Sequence, residues 1–253
     1  MSPLSMSLIV LACVFGGALL GMFLRNRLPK HHLTGATKDV VRLGTGLIGT
    51  IAALVLGLLI GSANGTHQTQ SSQVQQLTAS IVVLDRILAE YGPETNAARN
   101  LLRRAAADVA SRVWRENGSN SVRDEPFEAS AASLSLYDAI LKLSPQNDAQ
   151  SSLKARAIAA AEDLARTRLL LFAETGRVIP VPFLVVLVSW LAIIFASFSL
   201  FADNNATTIV ALGIFALSAS AAIFLILELS EPFTGLMVIS SEPLRSALAP
   251  LSP

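Results

Sequence analysis

The sequence predicts an all-α, polytopic membrane protein with four transmembrane helices and a soluble α-helical bundle inserted between spans two and three. Three observations carry this. Hydrophobic residues make up 52% of the 253 and charged ones 15%, well below the roughly 25% charged of an ordinary soluble domain. The charges are segregated: residues 1–24, 43–84, 178–202 and 204–227 hold no Lys, Arg, Asp or Glu. Between the second and third apolar stretches, hydrophobic residues recur at helical spacing, and no alternating strand pattern is present. Together these exclude a purely soluble fold and a disordered chain. A net charge of +1 gives no reason to expect nucleic acid as a partner. The single cysteine, Cys13, excludes an internal disulfide and a cysteine-rich zinc site.

Crossing a bilayer core of about 30 Å takes roughly 20 apolar residues as a helix. Four stretches qualify, at about 5–24, 43–62, 180–201 and 207–228. They divide the chain into a transmembrane hairpin (1–63), a soluble insert (64–178) and a second hairpin with a short tail (179–253). The first stretch has its positive charges, Arg25, Arg27 and Lys30, after the apolar run rather than before it. A secretory leader has the opposite order, so this stretch reads as a retained anchor. Only Ala202, Asp203, Asn204, Asn205 and Ala206 join spans three and four, which forces an antiparallel hairpin. Arg25, Arg27, Lys30, Lys38 and Arg42 crowd the loop between spans one and two, whereas residues 63–84 hold no charge. The positive-inside rule then places that loop in the cytoplasm of a bacterial inner (plasma) membrane, with the insert and both termini outside.

Within the insert, Val74, Leu77, Ile81, Leu84, Leu88 and Tyr91 form a heptad seam. A short polar stretch, Asn64-Gly65-Thr66-His67-Gln68, separates it from span two. Gly92-Pro93 divides this helix from a second, whose buried face is Ala98, Leu102, Ala105, Val109 and Val113. Asn117-Gly118 closes the second helix, and Asp124 with Pro126 opens a third, striped by Phe127, Leu134, Tyr137 and Leu141. Ser144-Pro145 caps a fourth, with the seam Leu153, Ala157, Ala160, Leu164 and Leu171. An up-down bundle is the simplest packing of four such helices. Its thirteen cationic and thirteen anionic residues describe a solvated surface.

Enzyme signatures are absent: there is no phosphate-binding glycine loop, no HExxH and no GxSxG. No catalytic residue, metal ligand or cofactor is expected. His31 and His32 are adjacent and would diverge on a helix, and His67 stands in the polar stretch after span two. The three Asn-x-Ser/Thr triplets, at Asn64, Asn117 and Asn205, read as turn residues, since Arg-over-Lys usage of fifteen to four points to a GC-rich bacterial genome.

Span two is the most informative apolar helix. Gly46, Thr50, Ala53, Gly57 and Gly61 make a stripe of small side chains, which serves close helix packing. Alternatively this stripe, or its apolar flank Ile48, Ala52, Leu56 and Leu59, lines a conduction path within a ring of identical helices. Small faces recur on span three (Ser189, Ala192, Ala196, Ser199) and span four (Gly213, Ala216, Ser220), and read as packing surfaces. Glu228 falls in the last turn of span four, where the helix dipole disfavours an anion. It therefore needs a cationic partner, a bound cation or a wet cavity. Glu231-Pro232 ends the helix, and Phe233-Thr234-Gly235 makes a turn. Glu228, Glu231, Pro232, Phe233 and Gly235 are thus the candidate pore-mouth residues.

From Trp190 through span four to Leu248 the sequence resembles the bestrophin-like proteins of bacteria. Trp190, Phe198, Glu228, Pro232, Phe233, Gly235, Ser241, Pro243 and Leu244 carry the resemblance. It implies a four-span, ring-forming, homo-oligomeric assembly (a pentamer by analogy) that conducts inorganic ions across the lipid bilayer. It also implies a cytoplasmic helical part, opposite to the side given by the charge count. The run of acidic residues that follows the Pro-Phe-Gly turn in bestrophins is missing here, so calcium gating does not carry over. The rival reading is a non-conducting membrane sensor or interaction protein whose helical bundle binds a partner.

Overall fold

The computed structural model describes residues 2–29, 35–114, 131–174, 181–203 and 205–248, and among these every regular element is helical. In chain order they are α1 (Pro3–Arg27), α2 (Gly35–Tyr91), a 3-10 turn (Pro93–Thr95), α3 (Asn96–Val113), α4 (Ala131–Leu141), α5 (Asp148–Glu174), α6 (Val181–Phe201), α7 (Ala206–Leu229) and α8 (Glu242–Leu248). The chain divides into two compact units, residues 1–67 with 178–231, and residues 68–177 with 232–253. His31, His32, Asn117, Gly118, Asp124, Pro126, Phe127 and Pro180 lie outside the described residues.

In the first unit, α1, the amino-terminal part of α2, α6 and α7 are each long and apolar enough to cross a membrane. Ser2 caps α1 and Asn205 caps α7, each side-chain oxygen accepting a backbone N–H three residues on. The unit is organised around α1, which packs along both α6 and α7. Glycine permits the approach to α6. A Cβ on Gly17 would lie 2.7 Å from the Ala192 oxygen and 3.1 Å from its Cα, and one on Gly21 would collide with the Ala196 carbonyl. Gly17 and Gly21 thus meet Ala192 and Ala196 as two small-xxx-small ridges. Toward α7 the link is polar: the buried Ser220 hydroxyl donates to the Ser7 carbonyl at 2.6 Å. The small face of span four thus packs, as its residues suggest, and adds a hydrogen bond between helices. Ser199 bonds back within its own helix, to the Phe195 carbonyl. At the far end of α1, Arg25 donates to the Ala202 carbonyl and pairs with Asp203 at 2.9 Å. The carboxyl ends of α1 and α6 therefore share one face of the unit, as alternating crossings require.

The second unit is a bundle around Leu77, Leu84, Leu88, Leu102, Ile140 and Leu171. Its α2–α3 corner turns at Gly92, whose φ of 133° is a conformation that favours glycine. The buried Thr95 hydroxyl donates to the Leu88 carbonyl at 2.5 Å, or to that of Gly92 at 2.7 Å. The Arg99 guanidinium grips Asp85 through Nε and Nη2, at 2.7 and 3.0 Å, which pins α3 to α2.

Three local expectations are corrected. Residues 64–68 are not a link: α2 is one helix of 57 residues. Nothing there forbids helix, since no proline interrupts it and Gly65 costs only about 1 kcal/mol. The Thr66 hydroxyl bonds back to the Ser62 carbonyl. The inward side also keeps a seven-residue step through Gly49, Leu56, Ala63, Gln70, Leu77, Leu84 and Tyr91, each buried or half-buried. In α4 the buried stripe is Leu136 and Ile140, while Leu134 and Leu141 are exposed. Apolar residues surround that short helix on most sides, so spacing could not choose among them. Finally, α5 is capped by Asn147, whose side chain accepts from Gln150 N–H at 2.8 Å, rather than by Ser144.

Candidate conduction surface

The spanning part of α2 differs from the other three spans. In its most apolar eighteen-residue window 11% of residues are buried, against 28% in each of the others. Its two sides also differ in what they touch. Ala52 is buried, and Ile48, Leu56 and Leu59 pack half-buried on the core that includes Ile194, Leu187 and Ile223. Those four candidates therefore share one packed side, together with the buried Thr45.

At about 100° per residue, Thr50, Leu54, Gly57 and Gly61 project opposite Ala52. All four are exposed, as are Gly46 and Ala53. A Cβ on Gly46, Gly57 or Gly61 would meet nothing within 4 Å. Glycines used for packing look otherwise, as Gly17 and Gly21 show. Thr50 bonds back to the Gly46 carbonyl at 3.0 Å, so its hydroxyl oxygen keeps acceptor capacity on this open side. Leu43, Leu47 and Leu58 flank it and are 65–76% exposed. Gly46 and Thr50 on the one hand and Ile48, Ala52, Leu56 and Leu59 on the other cannot line the same path.

The segment after α7 divides between the units. Glu228 is 3% exposed in the last turn of α7. Glu231 is half-buried, and its N–H donates to the Glu228 carbonyl at 3.2 Å. In the second unit Pro232 and Phe233 are buried, and Phe233 meets the Trp114 ring edge-on at 5.6 Å. The Trp114 indole donates to the Ile239 carbonyl at 2.6 Å, and Ile239 N–H closes the turn on Pro232 at 2.8 Å. Gly235, at φ 97°, takes a backbone conformation that a side chain would strain. The Pro-Phe turn is therefore a packed anchor. Trp114 is the partner that sequence reasoning missed, because a lone tryptophan at a helix end gives no sign of what it will cap. Among the described residues no cluster of His, Cys, Asp and Glu could hold a metal ion.

The comparisons agree with this architecture. The model of the bestrophin-like domain matches residues 12–244. Two mutant crystal structures of a bacterial bestrophin homolog from Klebsiella pneumoniae share the fold. One gives a TM-score of 0.66, covering 96% of this chain and 95% of that one, and the other 0.69, covering 99% and 96%. Both are 14% identical to this sequence. No curated protein matches. With the family model spanning nearly all of the sequence and the four-span helical fold shared end to end, the chain belongs to the bestrophin-like family.

Proposed function

We propose that the protein is a homo-oligomeric ion-conducting membrane protein in which the open side of α2, centred on Thr50, Leu54, Gly57 and Gly61, lines the path. The observation that carries this is the exposure of that side in a helix whose opposite side is packed. A helix covered by lipid alone has no use for a row of glycines that weakens it. A ring of identical helices does, because small side chains leave room for hydrated ions at the axis. The flanking leucines supply contact with the next copy or an apolar constriction. Ile48, Ala52, Leu56 and Leu59 hold α2 to its own chain in this reading. Glu228 and Glu231, at the end of α7, bias one mouth toward cations. The likeness to bestrophin homologs supports the oligomer at the level of the fold; the pentamer and the ions belong to this proposal. Among the described residues no metal-holding cluster argues for an enzyme.

Flux or single-channel recording from reconstituted liposomes tests the reading. Conductance should appear, with cation preference reduced in Glu228→Gln. An electrically silent, well-folded reconstitution would overturn it. The unbroken run of α2 from span to bundle favours one second reading, in which the helix transmits a partner's binding without conduction. Co-purification of a stoichiometric partner with a silent protein would support that instead.

A further inference from the structure

A second surface of the first unit has no part in the conduction path. Between the start of α2 and the end of α6 lies a cleft of about 210 Å³. Its α2 wall carries Lys38, Arg42 and Thr45, and its α6 wall Ser197, Phe198 and Phe201. Lys38 and Arg42 are one helical turn apart and line the same cleft. Neither has a carboxylate within ion-pair distance among the described residues. The neighbouring acid, Asp203, is held by Arg25. The Ser197 hydroxyl is occupied by the Ile193 carbonyl and Thr45 is buried, so below the two cations the cleft is walled by the phenylalanines.

The position of the cleft matters as much as its lining. Lys38 and Arg42 precede the charge-free run from residue 43, and Phe198 and Phe201 close the last turn of α6. Two cations thus stand at the water-facing edge of a span, above an apolar recess that opens between two transmembrane helices. Phe198 in the wall of the recess is 54% exposed, so the recess is open at the surface of the unit. We propose that this cleft is a binding site for an anionic phospholipid. Its phosphate is held by Lys38 and Arg42, and the start of an acyl chain lies against Phe198 and Phe201. Cationic clefts between helices at a membrane edge recognise such headgroups through charge and shape together. A bound lipid would fill the cleft between its α2 and α6 walls.

The test uses the full chain, purified in non-ionic detergent, with retained lipid counted by native mass spectrometry. Phosphatidylglycerol should bind in preference to phosphatidylcholine of the same acyl composition. Each cation near an anionic surface is worth about a fivefold change in binding, so Lys38→Gln with Arg42→Gln should weaken phosphatidylglycerol roughly 25-fold and leave phosphatidylcholine unchanged. Lys142→Gln with Arg156→Gln, which removes two charges from the helical bundle, should change neither. Ser197→Trp, which plugs the recess and keeps both charges, should also abolish the preference, and serves if the double variant does not fold. Equal binding of the two lipids by the unaltered chain would overturn the proposal. So would an equal loss in the Lys142/Arg156 variant, or displacement of the lipid by millimolar inorganic phosphate, which would make the site one for a soluble anion.

Discussion

Gly16 and Gly17 are adjacent in α1, at the same depth and with the same chemistry, yet they should respond oppositely to alanine. A methyl on Gly17 would lie 2.7 Å from the Ala192 oxygen and 3.1 Å from Ala192 Cα. Both are backbone atoms of a packed helix and cannot turn aside. Overpacking of this kind costs about 1–3 kcal/mol. Replacing glycine in a helix returns about 0.5–1 kcal/mol. Gly17→Ala should therefore lose up to about 2.5 kcal/mol on balance. At Gly16 a Cβ meets nothing within 4 Å, so Gly16→Ala should gain the helix term alone. The assay is reversible unfolding of the detergent-purified chain in a denaturing-surfactant titration, followed by fluorescence, to which Trp190 on the partner helix contributes. Gly21→Ala, aimed at the Ala196 carbonyl, should be the most damaging of the three. Equal midpoints for Gly16→Ala and Gly17→Ala would refute the close α1–α6 crossing, and with it the packing of the first unit.

Other consequences are as specific. Leu102 is fully buried in the bundle, and Leu102→Ala should destabilise it by about 2–5 kcal/mol, read as a lower melting temperature. Trp114→Phe removes the donor to Ile239 and leaves that carbonyl unpaired; about 1–3 kcal/mol should be lost. The chain has two tyrosines, and both titrate above the ordinary phenol value of 10.0: Tyr91 through burial and then the Glu94 charge, Tyr137 through burial and then its hydrogen bond to Glu162. The folded state therefore keeps both phenols neutral where the unfolded chain ionises. Their stabilisation is fully present below pH 10 and falls as pH rises through the folded values. Absorbance titration near 295 nm should show each phenol less than half ionised at pH 10 in the folded chain, and a phenol half-ionised there would contradict it.

Much of the fold could be read from the sequence because membrane spans announce themselves by length: an uncharged run of twenty residues has few other uses. The ends of α1, α6 and α7 fall within a few residues of the expected ones for the same reason. What could not be read depended on partners. Nothing distinguishes Gly17 from Gly16 until Ala192 stands opposite one of them. The polar residues 64–68 look like a break when taken alone, and only the seven-residue step on either side carries the helix through them. The candidate site was half legible. Both faces of span two could be named, but the choice between them rests on which one packs, and that is decided by Ile194, Leu187 and Ile223, more than a hundred residues away. The Pro-Phe turn was legible as a turn, whereas its anchoring against Trp114 was not.

The central claim is that the open side of α2 faces water in a conducting assembly. It is tested most directly by single cysteines at Thr50, Gly57 and Ala52 in a chain with Cys13 replaced by serine, reconstituted and treated with a charged, water-soluble thiol reagent during flux measurement. The account predicts rapid modification and altered flux for Thr50→Cys and Gly57→Cys, and neither for Ala52→Cys. Modification at Ala52 with silence at Thr50 and Gly57 would contradict it.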